Sequence, residues 1–344
     1  MLWQRIGIAL GAGVAAALLF AVLAKGTLLA MALACLAPLP ILIAGLCWGV
    51  DMGGLAAVAA CAVAAALAGP LSGAAFGATI ALPAWILSAV SQAPPLPLFW
   101  RTKADPTKTA GWFPVGGIVA IAALIGAATG LGALVSLIVA YGGYQKGVEA
   151  KVAEAAPILR QMLDETIALP LGVTTSLPAG VTVQDFATLV VQMSPMMLAA
   201  VSFLMFCGNL YAGARVAELS GALKRPWPNL PEALVLPQYL GVAFIVCLGL
   251  ALAMGDPAEE AAWIGVAGLS GAFVLQGLAS IHALTRGLRI RTPLLFAFYL
   301  VCALGWNVIL PIVVPIVALA GLLECFLSLR ARRVAAAANV KNVN

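Results

Sequence analysis

Charge is what this chain has least of. Lys, Arg, Asp and Glu supply 9% of its 344 residues, against roughly 25% in a soluble domain. Hydrophobic residues supply 63%, so the chain cannot cover a water-facing surface and reads as an integral membrane protein. Histidine is scarcer still, and one such residue, His282, cannot build a metal site without carboxylate help. The chain lacks G-x-x-x-x-G-K-[ST], H-E-x-x-H and G-x-S-x-G, which removes the phosphate-cradling loop, the zinc-protease helix and the nucleophile elbow. It lacks C-x-x-C as well. The seven cysteines lie in or at the ends of apolar runs and read as small buried hydrophobes. No carboxylate falls at the centre of an apolar run, since Asp51 and Glu324 sit near run ends. That weighs against a carrier coupled to protons or ions, which needs an ionisable group there. No enzyme activity, cofactor, metal or nucleic-acid partner is expected.

What remains is apolar length. Runs able to cross a bilayer cover about 6–24, 28–50, 52–69, 72–91, 115–141, 187–214, 238–255, 262–284 and 294–328. The first follows Arg5 and ends in Val22-Leu23-Ala24, like a signal peptide. Its length, however, suits a span better than a signal core. The last run would make a helix about 50 Å long, and Gly305-Trp306-Asn307, Pro311 and Pro315 interrupt it. A hairpin there gives about ten spans, an all-α polytopic bundle. With the amino terminus inside, the cytoplasmic segments hold Arg5, Arg101, Lys103, Lys108, Arg215, Lys224, Arg225, Arg286, Arg289, Arg291, Arg330, Arg332, Arg333 and Lys341, 14 of the 18 basic residues. Both termini are therefore expected in the cytoplasm, with Asp256–Glu260 outside.

The chain divides into a Gly-rich four-span part (1–91), an interfacial loop (92–114), an external segment (142–185), later spans (186–330) and a tail (331–344). The loops 92–114 and 218–237 combine Pro, Trp and basic residues, as segments lying at the headgroup level do. Outside, Val148, Val152, Ala156, Leu159, Leu163 and Ile167 recur on one face of an amphipathic helix mildly broken by Pro157. Thr182-Val183-Gln184-Asp185 then reads as a capping box opening a long helix that can bend at Pro195.

One stretch is abnormal for a span. Pro38 and Pro40 strip hydrogen bonds from the carbonyls of Ala34 and Leu36, and a broken helix in lipid must turn those groups toward protein or a wet cavity. Pro38 and Pro40 therefore head the candidate solute-binding residues, with Asp51, Gln276 and Asn209, the polar side chains placed in or near spans. Gly45, Gly49 and Gly53, and Gly69, Gly73 and Gly77, form two small-residue ladders that allow close helix packing, within the chain or against a partner. Met193, Met196, Met197 and Met205 suit either an adaptable apolar pocket or plain packing.

Three motifs carry a resemblance: Ala37-Pro38-Leu39-Pro40 leading to Gly45, Gly49 and Gly53-Gly54; Gly111-Trp112-Phe113-Pro114-Val115-Gly116; and Gly321-Leu322-Leu323-Glu324-Cys325-Phe326 before basic residues. In these the chain resembles the YybS-like group of bacterial multi-spanning membrane proteins. Its first part is loosely similar to the substrate-binding subunits of energy-coupling-factor vitamin transporters. The resemblance implies a bacterial inner-membrane location, a transporter-like role and a membrane partner, in that second case part of an ATPase-containing complex. The alternative is a non-transporting scaffold or assembly factor. Membrane lipids are partners on either reading.

Overall fold

The computed structural model describes residues 2–94, 111–164, 177, 180–305 and 308–333. Most of the 92–114 loop, Trp306 and Asn307, the segment after Asp164 and the 334–344 tail lie outside the described residues, as do Ile167, Lys341 and the side chain of Leu163. Among the described residues the chain is mostly helical and has no strand. Eight helices or helix pairs are long and apolar enough to cross a membrane, and two shorter apolar helices, 238–253 and 291–304, accompany them.

In chain order the helices are α1 (Leu2–Ala21), α2 (Leu28–Ala34), α3 (Pro38–Trp48), α4 (Val50–Ala68), α5 (Pro70–Phe76), α6 (Leu82–Ser91), α7 (Val115–Tyr141), α8 (Tyr144–Asp164) and α9 (Val183–Leu219). A single turn, α10 (Leu230–Ala233), precedes α11 (Gln238–Ala253), α12 (Ala258–Leu284), α13 (Arg291–Leu304) and α14 (Leu310–Leu327). The break between α13 and α14 falls where the last apolar run was expected to fold back. Pro311 opens α14, where a missing N–H costs nothing.

Helices α1, α3 and α4 pack on one another with α6 against α3 and α4; α7, α9 and α12 pack on one another with α14 against α12; and α9 joins the groups through α3. The first interface is built from alanine: Ala9, Ala16, Ala17, Ala56 and Ala60 are all buried, so backbones lie close. The turns alternate between two ends of the bundle, and contacts across the chain hold each end together. At one end Tyr144 bonds Glu260 and Gln145 bonds Asp256. At the other, Trp85 bonds the Val50 carbonyl and Arg330 bonds those of Pro231 and Leu234. Arg215, Lys224, Arg286, Arg289, Arg291 and Arg330–Arg333 all belong to this second, basic end.

The amphipathic helix lies over the bundle. In α8, Val148 and Val152 are buried in a second core with Leu134, Ala187, Ala199 and Ile264, and the helix runs through Pro157 without ending. The capping box at the start of α9 is formed in both directions: Asp185 N–H donates to Thr182 Oγ at 3.1 Å, and Thr182 N–H donates to Asp185 Oδ2 at 3.0 Å. At 37 residues, α9 is about 55 Å long. Pro195 leaves the Val191 carbonyl without its amide donor, and Ser194 Oγ takes it at 2.8 Å.

Candidate functional site

The prolines break the second span as expected, but the carbonyl they orphan is a different one. Around the break the backbone tightens into i→i+3 bonds: Ala37 N–H reaches Ala34 O and Leu39 N–H reaches Leu36 O, each at 3.0 Å. The two carbonyls expected to be free are thus satisfied. Cys35 O is left over, because its i+3 and i+5 neighbours are Pro38 and Pro40, and the Leu39 N–H between them is already committed. A buried side chain supplies the donor. Asn209 Nδ2 on α9 lies 2.7 Å from Cys35 O and 2.7 Å from Met205 O. With both amide protons used on carbonyls, Asn209 Oδ1 points the other way. It is enclosed and has no hydrogen-bond partner, though the residue is only 5% exposed. Three candidate residues therefore converge: buried Pro38, half-buried Pro40 and Asn209.

The other two candidates lie elsewhere. Asp51 is exposed in the first turn of α4, where its charge complements the helix N-terminus. Gln276 is fully buried and every polar atom is used. Its Nε2 donates to Gly321 O at 2.8 Å and to Cys325 Sγ at 3.1 Å, and its Oε1 accepts from Leu236 N–H. Nothing is left for a ligand, so Gln276 is a structural knot between α12, α14 and the strap 229–237.

That strap corrects the reading of 218–237 as a headgroup-level loop. Its second half enters the bundle, burying Ala233, Leu234 and Leu236. A buried backbone needs partners for its polar groups. Arg330 donates to Pro231 O at 2.7 Å and Leu234 O at 2.8 Å, and Glu324 holds Arg330 through Nε at 3.0 Å. Glu324 also accepts the N–H of Leu329 at 3.0 Å, closing the end of α14. Both members of this ion pair are buried. Arg225, counted among the loop's surface cations, is buried as well, with a guanidinium nitrogen 3.5 Å from Ser91 O.

The glycine ladders resolve into turns and closed contacts. Gly49 and Gly69 have φ of +110° and +92° and are the single residues on which the chain reverses between α3 and α4 and between α4 and α5. Neither contributes to a helix face. A Cβ on Gly45 would strike Ser88, one on Gly53 would lie 2.9 Å from Gly45 Cα, and one on Gly73 would lie 2.5 Å from Ala65 Cβ. Gly77 meets Cys61 Sγ at 3.0 Å. These positions are covered from within the chain. Approaches tighter than these lie outside both ladders: a Cβ on Gly116 would be driven into the Val235 carbonyl, one on Gly277 into that of Val317, and one on Gly321 into that of Phe273. The methionines divide, Met196 and Met205 packing against the cores while Met193 and Met197 are exposed.

Sequence reasoning passed over one further group. Glu260, in the first turn of α12, is buried with Oε1 accepting from Tyr144 Oη at 2.9 Å and Oε2 without a partner. Burial, then the hydrogen bond and charge of Glu260, push the Tyr144 phenol above its ordinary range. Tyr144 also lines an open cleft of about 350 Å³ between the α7–α8 turn and Asp256-Pro257. An acidic turn read only as a topology marker gave no sign that one of its carboxylates was enclosed.

Compared with protein families, with curated proteins and with solved structures, the chain matches none. The site must therefore be read from its own chemistry. Among the described residues no three His, Cys, Asp or Glu side chains converge as a metal ion requires. At the broken helix the polar group left available is one amide oxygen, Asn209 Oδ1. The amide oxygen can accept a hydrogen bond from a neutral or weakly polar molecule, and the thiol of Cys35, free and exposed, lies at the same break.

Proposed function

We propose that this chain is a non-catalytic, transporter-like membrane protein that binds a small or lipidic solute beside the broken helix between α2 and α3. The observation that carries the reading is Asn209 Oδ1, an enclosed acceptor without a partner at the point where two prolines interrupt a span. An unsatisfied buried oxygen costs about 1–3 kcal/mol, a cost that a ligand donor would relieve. By the positive-inside rule we assign the basic end, with both termini, to the cytoplasm, and we take the membrane to be a bacterial inner membrane. Likeness to YybS-like proteins agrees with that location and adds no activity. With no nucleotide motif, movement against a gradient would draw its energy from another polypeptide, an ATPase-containing complex being the expected kind.

Native mass spectrometry of protein extracted gently from its own membrane tests the reading. Wild type should carry a discrete adduct that Asn209→Leu has lost while remaining folded. Identical spectra from the two would end the proposal.

A second reading, a scaffold or assembly factor, is favoured by one observation. Gln276, the polar side chain placed deepest by sequence, is fully committed to groups of the chain itself. Recovery of a stoichiometric membrane partner without any solute would support it.

A further inference from the structure

The turn from α12 into α13 gathers cations without matching carboxylates. Arg286, Arg289 and Arg291 fall within it, and Arg332 and Arg333 arrive from beyond α14. Glu232 pairs with Arg286, which also donates to Asn229 Oδ1 at 2.8 Å. Arg333 is spent on the carbonyls of Leu284 and Arg286. Among the described residues three of these guanidinium groups stay uncommitted, those of Arg289, Arg291 and the exposed Arg332. Arg289 is exposed, and Arg291 is half-buried with its Nε enclosed and lacking a hydrogen-bond partner.

Alongside them runs an apolar flank. None of the residues of α13 is buried, and Leu294, Phe296, Leu300 and Leu304 are all exposed. Beneath the arginines, Tyr299 Oη meets His282 Nε2 at 2.7 Å, tying α13 to α12. Cations at the end of an exposed apolar helix, with an aromatic hydroxyl at their border, match a molecule that carries a phosphate above hydrocarbon.

We infer that this turn is a seat for one anionic phospholipid, its phosphate held by Arg289 and Arg291 and its acyl chains lying along α13. A guanidinium suits the occupant because its planar fork bonds two phosphate oxygens together. The excess charge selects a headgroup with net negative charge over a zwitterionic one. The apolar flank selects a lipid over free phosphate.

The test is lipid retention by the full chain in detergent, read by native mass spectrometry with phosphatidylglycerol or phosphatidylcholine of the same acyl chains. Wild type should hold one phosphatidylglycerol at least tenfold more tightly than phosphatidylcholine, and millimolar inorganic phosphate should not displace it. Arg289→Gln with Arg291→Gln should lose that preference, while Lys146→Gln, at the opposite end, should keep it. Arg289→Glu, at an exposed position, should weaken retention even if the double variant folds poorly. Equal retention of the two lipids, an unchanged Arg289→Glu variant, displacement by phosphate, or a dimer that covers α13 would each overturn the inference.

Discussion

Replacing Gly277 by alanine tests the packing on which the basic end depends. The new Cβ would press on the Val317 carbonyl, and at Gly321 the same change would press on the Phe273 carbonyl. Backbone cannot rotate aside as a side chain can, so α12 and α14 must separate. Overpacking of this kind costs about 1–3 kcal/mol. Separation also lengthens the Gln276 Nε2 to Gly321 O bond, now 2.8 Å, worth about 0.6 kcal/mol more in a membrane. Alanine's helix propensity returns about 1 kcal/mol. The net expectation is a loss of about 1–3 kcal/mol for each variant, with less than the sum for the pair because both act on one crossing. Gly7→Ala and Gly11→Ala are the controls, since a Cβ at either meets nothing within 4 Å. They should be neutral or stabilising by up to about 1 kcal/mol. Reversible unfolding in mixed micelles, followed by tryptophan fluorescence, measures the difference. Equal midpoints for Gly277→Ala and Gly7→Ala would refute the close crossing.

Other consequences follow from the same structure. Pro38→Ala with Pro40→Ala supplies new backbone donors near Cys35 O, so helicity should rise and solute binding fall, with stability unchanged or up to about 1 kcal/mol higher; circular dichroism and retention of the native adduct measure the two effects. Unchanged adduct retention would separate the break from function. The raised phenol of Tyr144 stabilises the folded chain below the ordinary tyrosine pKa of about 10. That contribution disappears as pH climbs through the higher folded value, so α8 should become protease-sensitive only in strong alkali, and Tyr144→Phe should abolish the alkaline step. A cysteine at Glu154, in a variant freed of native cysteines, should react with an impermeant thiol reagent added from outside. Labelling only after permeabilisation would invert the topology.

How much of this could be read from residues alone depends on the range of the interaction. The spans, the α13–α14 hairpin and the Thr182–Asp185 box are local patterns of hydropathy, proline and capping, and they appear where the sequence placed them. Pairings across the chain were not readable. Gly277 and Gly321 have no four-residue spacing to mark them, and the strap 229–237 looked like a surface loop because its buried arginine partner, Arg330, comes much later. Gly49 and Gly69 fitted a helical spacing by count, yet each adopts a φ that makes it a turn. At the break, the prolines correctly marked an interrupted helix. The identity of the orphaned carbonyl depended on how the intervening amides rearranged, a matter of backbone geometry. Of the polar candidates, Asn209 and Gln276 looked alike in sequence. One keeps a free acceptor and the other does not, because the oxygen of Gln276 meets an amide of the strap while its nitrogen is taken by α14.

The most direct measurement is a density map of the protein in lipid nanodiscs, examined at Asn209 Oδ1. The account predicts a bound molecule there, not a protein side chain, with a donor within about 3 Å of that oxygen and apolar contact with the walls around Pro38. A side chain of the protein itself closing on Asn209 Oδ1, with no space left between α3 and α9, would contradict it.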